Sequence, residues 1–182
     1  MKKHLYARLA LLLVLPLIIF GCEAIEDAAQ FDISQPLPDV VVTVDTNTFS
    51  ASATEQLVAE ATVSINLDSL KEAHGLKSFE AAQFDYVRLQ LSSPTDINLD
   101  WIQGIRTTVS ASNIAETDIA SYTRTTPAGS SIELTVPAVA VLNQVTQDNF
   151  NIKVYATASL PLPAPQIQML LKSKLKITVQ PV

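Results

Sequence analysis

Alternation along the chain decides what it can fold into. From Asp39 onward, apolar side chains recur at every second position in one segment after another. Ala61, Val63, Ile65 and Leu67 alternate with Thr62, Ser64 and Asn66, and Val87, Leu89 and Leu91 with Arg88 and Gln90. Ile132, Leu134 and Val136 alternate with Glu133 and Thr135, and Phe150, Ile152, Val154 and Ala156 with Asn151, Lys153 and Tyr155. The longest run is the last, with Ile167, Met169, Leu171, Leu175, Ile177 and Val179 set against Gln168, Lys172, Lys174, Lys176 and Thr178. Successive side chains of a strand point to opposite faces, so this pattern predicts strands with one face on a core and one in water. Ile97, Leu99 and Trp101 share a parity that resumes at Ile105, Thr107 and Val109, which places a bulge or bend at Gln103–Gly104.

Turn-forming clusters separate the runs: Ser92-Ser93-Pro94, Pro127-Ala128-Gly129-Ser130, and the proline-rich residues 160–165. Many short strands with such spacing predict an all-β fold, an antiparallel two-sheet sandwich. One short helix is expected where Ser69 and Glu72 form a capping box and Gly75 supplies a left-handed stop. A second, shorter turn of helix is expected near Leu142–Gln147. There is no internal repeat.

The first 22 residues carry a different signal. Lys2, Lys3 and Arg8 precede an uncharged apolar run from Leu9 to Phe20, closed by the small Gly21. The run is shorter than the roughly 20 residues of a spanning helix. A basic start, a short apolar run and a small residue mark a signal peptide. Leu17-Ile18-Ile19-Phe20-Gly21-Cys22 resembles the lipobox of bacterial lipoproteins, in which an aliphatic, a variable and a small residue precede an invariant cysteine; Phe20 is bulkier than is usual at its place. The resemblance implies cleavage between Gly21 and Cys22 and acyl chains, palmitate among them, on Cys22. Two or more chains anchor a protein stably where one does not. Glu23 stands where an Asp implies inner-membrane retention, so the resemblance points to the outer membrane and leaves the side of the membrane open.

This gives a signal peptide over residues 1–21, a lipidated flexible tether over 22–38, and a β-sandwich over 39–182. Glu23, Glu26, Asp27, Pro36 and Pro38 are the basis for the tether. In architecture the sandwich is loosely similar to the Ig-like and jelly-roll domains of bacterial envelope lipoproteins, without a residue motif to carry a function across.

Charge and composition exclude several chemistries. The chain has 12 Lys and Arg against 18 Asp and Glu. Loss of Lys2, Lys3 and Arg8 leaves nine basic residues and a net charge of −9, which disfavours nucleic acid and anionic lipid as partners. After the expected cleavage, which removes His4, His74 is the one imidazole, and with Cys22 acylated no thiol remains, so no catalytic residue, metal ligand set or cofactor site is assigned. His74 is expected to sit at the C-terminus of the short helix, where a cation is favourable. Asp96, Asn98 and Asp100 offer alternating oxygens, short of the six to eight ligands calcium takes.

What is left points to binding. Trp101 follows core parity. Tyr86 and Tyr155 fall on the polar sides of their strands, and Lys172, Lys174 and Lys176 form a one-sided basic ladder. These five residues are the candidate binding surface, and the ladder also reads as a guard on an exposed sheet edge. The expectation is a non-catalytic, membrane-anchored envelope lipoprotein acting as a protein-binding or structural module. A surface-exposed glycan-binding module is the alternative, and a carboxylate-dependent hydrolase the remote one.

Overall fold

The longest alternating run becomes the centre of one sheet. The computed structural model describes residues 30–47, 49, 54–147 and 149–182; the expected signal peptide, Cys22 and the tether as far as residue 29 lie outside the described residues. Gln166–Pro181 (β9) buries every second side chain from Ile167 to Val179. Leu76–Ser93 (β4) pairs antiparallel along one side of it, and Phe31–Pro36 (β1) and Val40–Asp45 (β2) along the other. Ser131–Glu133 (β7) pairs with the far edge of β4. Gln56–Val63 (β3), Phe150–Ala158 (β8), Ile102–Ala111 (β5) and Ile114–Thr123 (β6) form the second sheet, in that spatial order. The two sheets, each antiparallel, make the expected sandwich.

The expected tether is shorter at its C-terminal end than the sequence indicates. Its residues 31–36 are β1, in register with β9 from Phe31 opposite Val179 to Pro36 opposite Lys174. Between β1 and β2, residues 37–39 stand opposite only Lys172 and Ser173, so the two strands form one edge interrupted by a bulge. Leu37 is buried at this bulge, and its N–H donates to the Ser173 carbonyl at 3.0 Å. Pro36 and Pro38 read as breakers, yet an edge strand and a bulge are the places where a sheet tolerates a missing N–H.

One side of the sandwich is tied by a chain that changes sheets. After β7, the Leu134 N–H donates to Val87 O in the first sheet. Thr135 then exchanges two backbone hydrogen bonds, of 2.8 and 2.9 Å, with Ser121 in the second.

Two short helices cross between elements: Leu67–His74 (α1) and Leu142–Val145 (α2). Gly75 takes the left-handed conformation at φ 59° and ψ 52° that ends α1, as expected. The N-terminal cap differs. Asn66 caps the helix, its Oδ1 accepting from the Ser69 N–H at 2.9 Å, so Ser69 lies inside the first turn. Ile65 and Leu67 leave the strand, which ends at Val63. Ile97, Leu99 and Trp101 are not strand either: they lie in a turn before β5, in which the Asn98 side chain accepts from the Asp100 N–H. Trp101 is in the core.

The inner faces meet through Val42, Leu89, Val109, Ile152, Leu171 and Leu175, all but completely buried. Each such side chain contributes roughly 1.5–3 kcal/mol on burial, so the sandwich holds without a disulfide.

Candidate functional site

The sandwich sorts the candidate residues onto two opposite outer faces. On β9 the even-numbered residues point outward, which carries Lys172, Lys174 and Lys176 to the outer face of the first sheet. On β4 a bulge at Asp85 resets the parity, so that Val87 turns to the core and Tyr86 and Arg88 turn out. Register sets Tyr86 opposite Lys174, Arg88 opposite Lys172 and Gln83 opposite Lys176.

Tyr86 is held between cations. The Arg88 guanidinium lies 5.2 Å and the Lys174 ammonium 5.8 Å from its ring centroid, within the range where the ring quadrupole attracts a cation. Arg88 approaches Glu133 at 3.8 Å. Lys176 pairs with Asp32 at 2.8 Å, and Asp32 also accepts from the Thr178 hydroxyl at 2.7 Å. These two hydrogen bonds, Lys176 first, hold the Asp32 carboxyl below the usual carboxylate range, and the same pairing raises Lys176. Among the described residues, Lys172 and Lys174 make no ion pair. Arg88 and Lys172 are therefore like charges directly opposite each other, an arrangement that costs a sheet stability.

The ladder does not guard an edge. β9 has neighbours on both sides, so its lysines cannot act by keeping another chain off an open strand. The alternation was right about which face they occupy. What it could not report is where the strand sits in the sheet.

Tyr155 belongs to the other face, so no single surface combines it with Tyr86. There Arg106 on β5 is the hub. Its Nε and Nη2 bond the Glu55 carboxylate at 2.8–3.1 Å and its Nη1 bonds Asp118 at 3.0 Å. The guanidinium stacks 4.2 Å from the Tyr155 ring centroid. Glu116 collects the Tyr155 hydroxyl at 3.0 Å, Thr108 Oγ1 at 2.9 Å and Lys153 Nζ at 3.1 Å. Burial alone pushes the Glu116 carboxyl up; the bonds from Lys153, Thr108 and Tyr155 outweigh it and hold it low. Burial raises Tyr155 first and its bond to Glu116 raises it further. Lys153 is raised by Glu116, and Arg106 by its hydrogen bond to Glu55.

This cluster spends its polar groups on itself. Arg106 has its fork occupied and its flat side on an aromatic ring, and Glu55 fixes the entry to β3 against β5. It is a clasp. A groove of about 520 Å³ beside it runs over Gly104, Tyr122 and Thr157. A Cβ at Gly104 would meet Thr157 Oγ1 at 2.8 Å, so the glycine permits close approach of β5 and β8 at the bulge expected there.

The remaining candidates are placed as follows. His74 is exposed in the last turn of α1. The Asp100 carboxylate accepts from the Ala128 N–H at 2.6 Å, and no group of three or more His, Cys, Asp or Glu among the described residues is gathered as a metal site would need. Parity in the sequence puts Arg88 on the polar side with Tyr86, whereas Arg106 carried no signal of its own. Strand register is what brings Arg88 to Lys172 and Arg106 to Tyr155.

Fold and faces together define a two-sheet antiparallel sandwich with Lys172 and Lys174 without an ion pair among the described residues on one outer face, and a self-satisfied charge cluster on the other. Set beside known families and curated proteins, the chain matches no family model and no curated protein.

Proposed function

We propose that this chain is a lipid-anchored envelope lipoprotein whose sandwich is a non-catalytic binding module, with the outer face of the β4–β9 sheet as its recognition surface. The observation that carries the binding reading is the pair Arg88 and Lys172, like charges set opposite each other, with Lys172 and Lys174 making no ion pair among the described residues. A fold bears that cost most simply where an incoming anion relieves it. The anchoring reading rests on Leu17–Cys22. Only residues 23–30 separate Cys22 from β1, a stretch that reaches at most about 30 Å, so the module works close to the membrane that holds it. The outer membrane is the proposed location.

Two measurements test this together. Cells fed an alkyne-bearing palmitate should label the protein, and Cys22→Ser should abolish the label. A photo-crosslinking residue at Gln90, on the recognition face, should capture a specific neighbour that the same residue at Asn151, on the opposite face, does not. Equal capture from both faces, or none from either, sinks the recognition surface; label on the Cys22→Ser chain sinks the anchor.

A further inference from the structure

We propose that the cationic strip along β9 is a site for a single chain of an acidic polysaccharide, one that bears carboxylate or phosphate groups. This rests on the recognition face proposed above and names its ligand.

Three features of the face select that class. The strip is linear: Lys172, Lys174 and Lys176 are alternate residues of one strand, so they stand roughly 6.6 Å apart and extend over about 13 Å, with Lys176 held by Asp32 and Lys172 and Lys174 making no ion pair among the described residues. Most of its neighbours are amides. Gln83 and Gln90 on β4, and Gln168 on β9, point to the same face and offer donors and acceptors for sugar hydroxyls, while Leu170, between Gln90 and the exposed Val41, makes with Val41 a small apolar patch for the face of a sugar ring. Its centre is charged. A protein partner is met by an interface core depleted of charge and enriched in apolar and aromatic groups, whereas here the one aromatic ring, Tyr86, already contacts Arg88 and Lys174.

The margins exclude a broad anionic plane. Exposed carboxylates border the strip on both sides, Asp32 and Asp39 along β1 and β2, Asp85 and Glu133 along β4 and β7. A bilayer surface laid on this face would meet those carboxylates as well as the lysines. A single narrow polyanion lies between them. Arg88 and Lys174 both rest against the Tyr86 ring, a contact that restricts their side chains before the ligand arrives, so less side-chain freedom is lost on binding.

The test uses the full chain purified from membranes in detergent and titrated with oligogalacturonate, with neutral dextran, oligoglutamate and phosphatidylglycerol vesicles as parallel probes. The expected result is saturable binding of oligogalacturonate, weakened by added salt and weakened at least tenfold by K172Q/K174Q. Dextran should show no saturable binding, and Lys153→Gln on the opposite face should leave affinity unchanged. Thermal melting confirms that each variant is folded. Binding of oligogalacturonate that K172Q/K174Q leaves intact overturns the site. Binding of oligoglutamate or the vesicles at equal or higher affinity, lost in the same variant, overturns the polysaccharide assignment and keeps the recognition face. Binding of no probe by the wild type overturns the polysaccharide site; capture of a neighbour by the Gln90 crosslinker then still upholds the face.

Discussion

Replacing Leu37 with alanine separates a strand from a tether. In a tether, Leu37 sits in water and its truncation changes stability by no more than about 0.5 kcal/mol. In the structure its side chain is 6% exposed and plugs the bulge between β1 and β2. Leu→Ala removes the equivalent of three methylene groups at about 0.8 kcal/mol each. The cavity left behind adds to that, more where the surroundings cannot collapse. The edge position favours partial collapse, so the expected loss is about 2.5–4 kcal/mol. For a domain of this size that lowers Tm by roughly 7–12 °C. The assay is urea and thermal unfolding of the unlipidated chain from residue 23, followed by circular dichroism, with Leu37→Met as the volume-conserving control. The urea m-value should stay constant. A loss below about 0.5 kcal/mol at constant m refutes the seating of Leu37 in the core, and with it the inclusion of residues 31–37 in the sheet.

Three other outcomes are expected. Asn66→Ala should cost about 1 kcal/mol as the cap of α1 is lost, while Ser69→Ala, whose side chain caps nothing, stays within about 0.5 kcal/mol; urea melts that rank the two the other way contradict the cap. Thr107→Val should raise stability by about 1 kcal/mol, because the buried Thr107 hydroxyl has no hydrogen-bond partner among the described residues and valine keeps its shape; a fall in Tm counts against it. Asp32 sits below the ordinary carboxylate range in the folded chain, so its contribution is full above about pH 4 and disappears as pH falls through the folded value. The Tm gap between wild type and Asp32→Asn should therefore be open at pH 6 and close toward pH 2, and a gap that widens on acidification refutes the pairing with Lys176.

Alternation was enough where strands are regular and failed where bulges intervene. β8 and β9 keep parity over their full lengths, and their inner residues were legible one by one. The first half of β4 was not. Bulges beside Glu80 and Asp85 leave Phe79, Ala82, Phe84 and Val87 at spacings of mostly three, which no period-two template matches. In β6 a bulge brings Ile119 and Ala120 to the core together, again breaking the pattern. β1 was hidden by Pro36, whose breaker reading holds for a central strand and not for an edge. The candidate site was half visible for a related reason. Parity places a side chain on a face, and it found Tyr86 and the three lysines. Register places it beside a neighbour. That is why Arg88, on the side of Tyr86 by parity, met Lys172 only in the folded sheet, and why Tyr155 left for the other face.

The position of β9 has a consequence for how such a chain is made. Its first sheet is assembled around β9, the last of the nine strands among the described residues. β1, β2 and β4 all emerge from the ribosome, and on the proposed export route cross the membrane, before the strand they must pair with exists. Pairings so far apart in sequence are slow to form, and here they are also impossible until β9 has been made. The order of the strands thus works as a timer: β1, β2 and β4 stay without their common partner until that strand arrives, and only then can the sheet close.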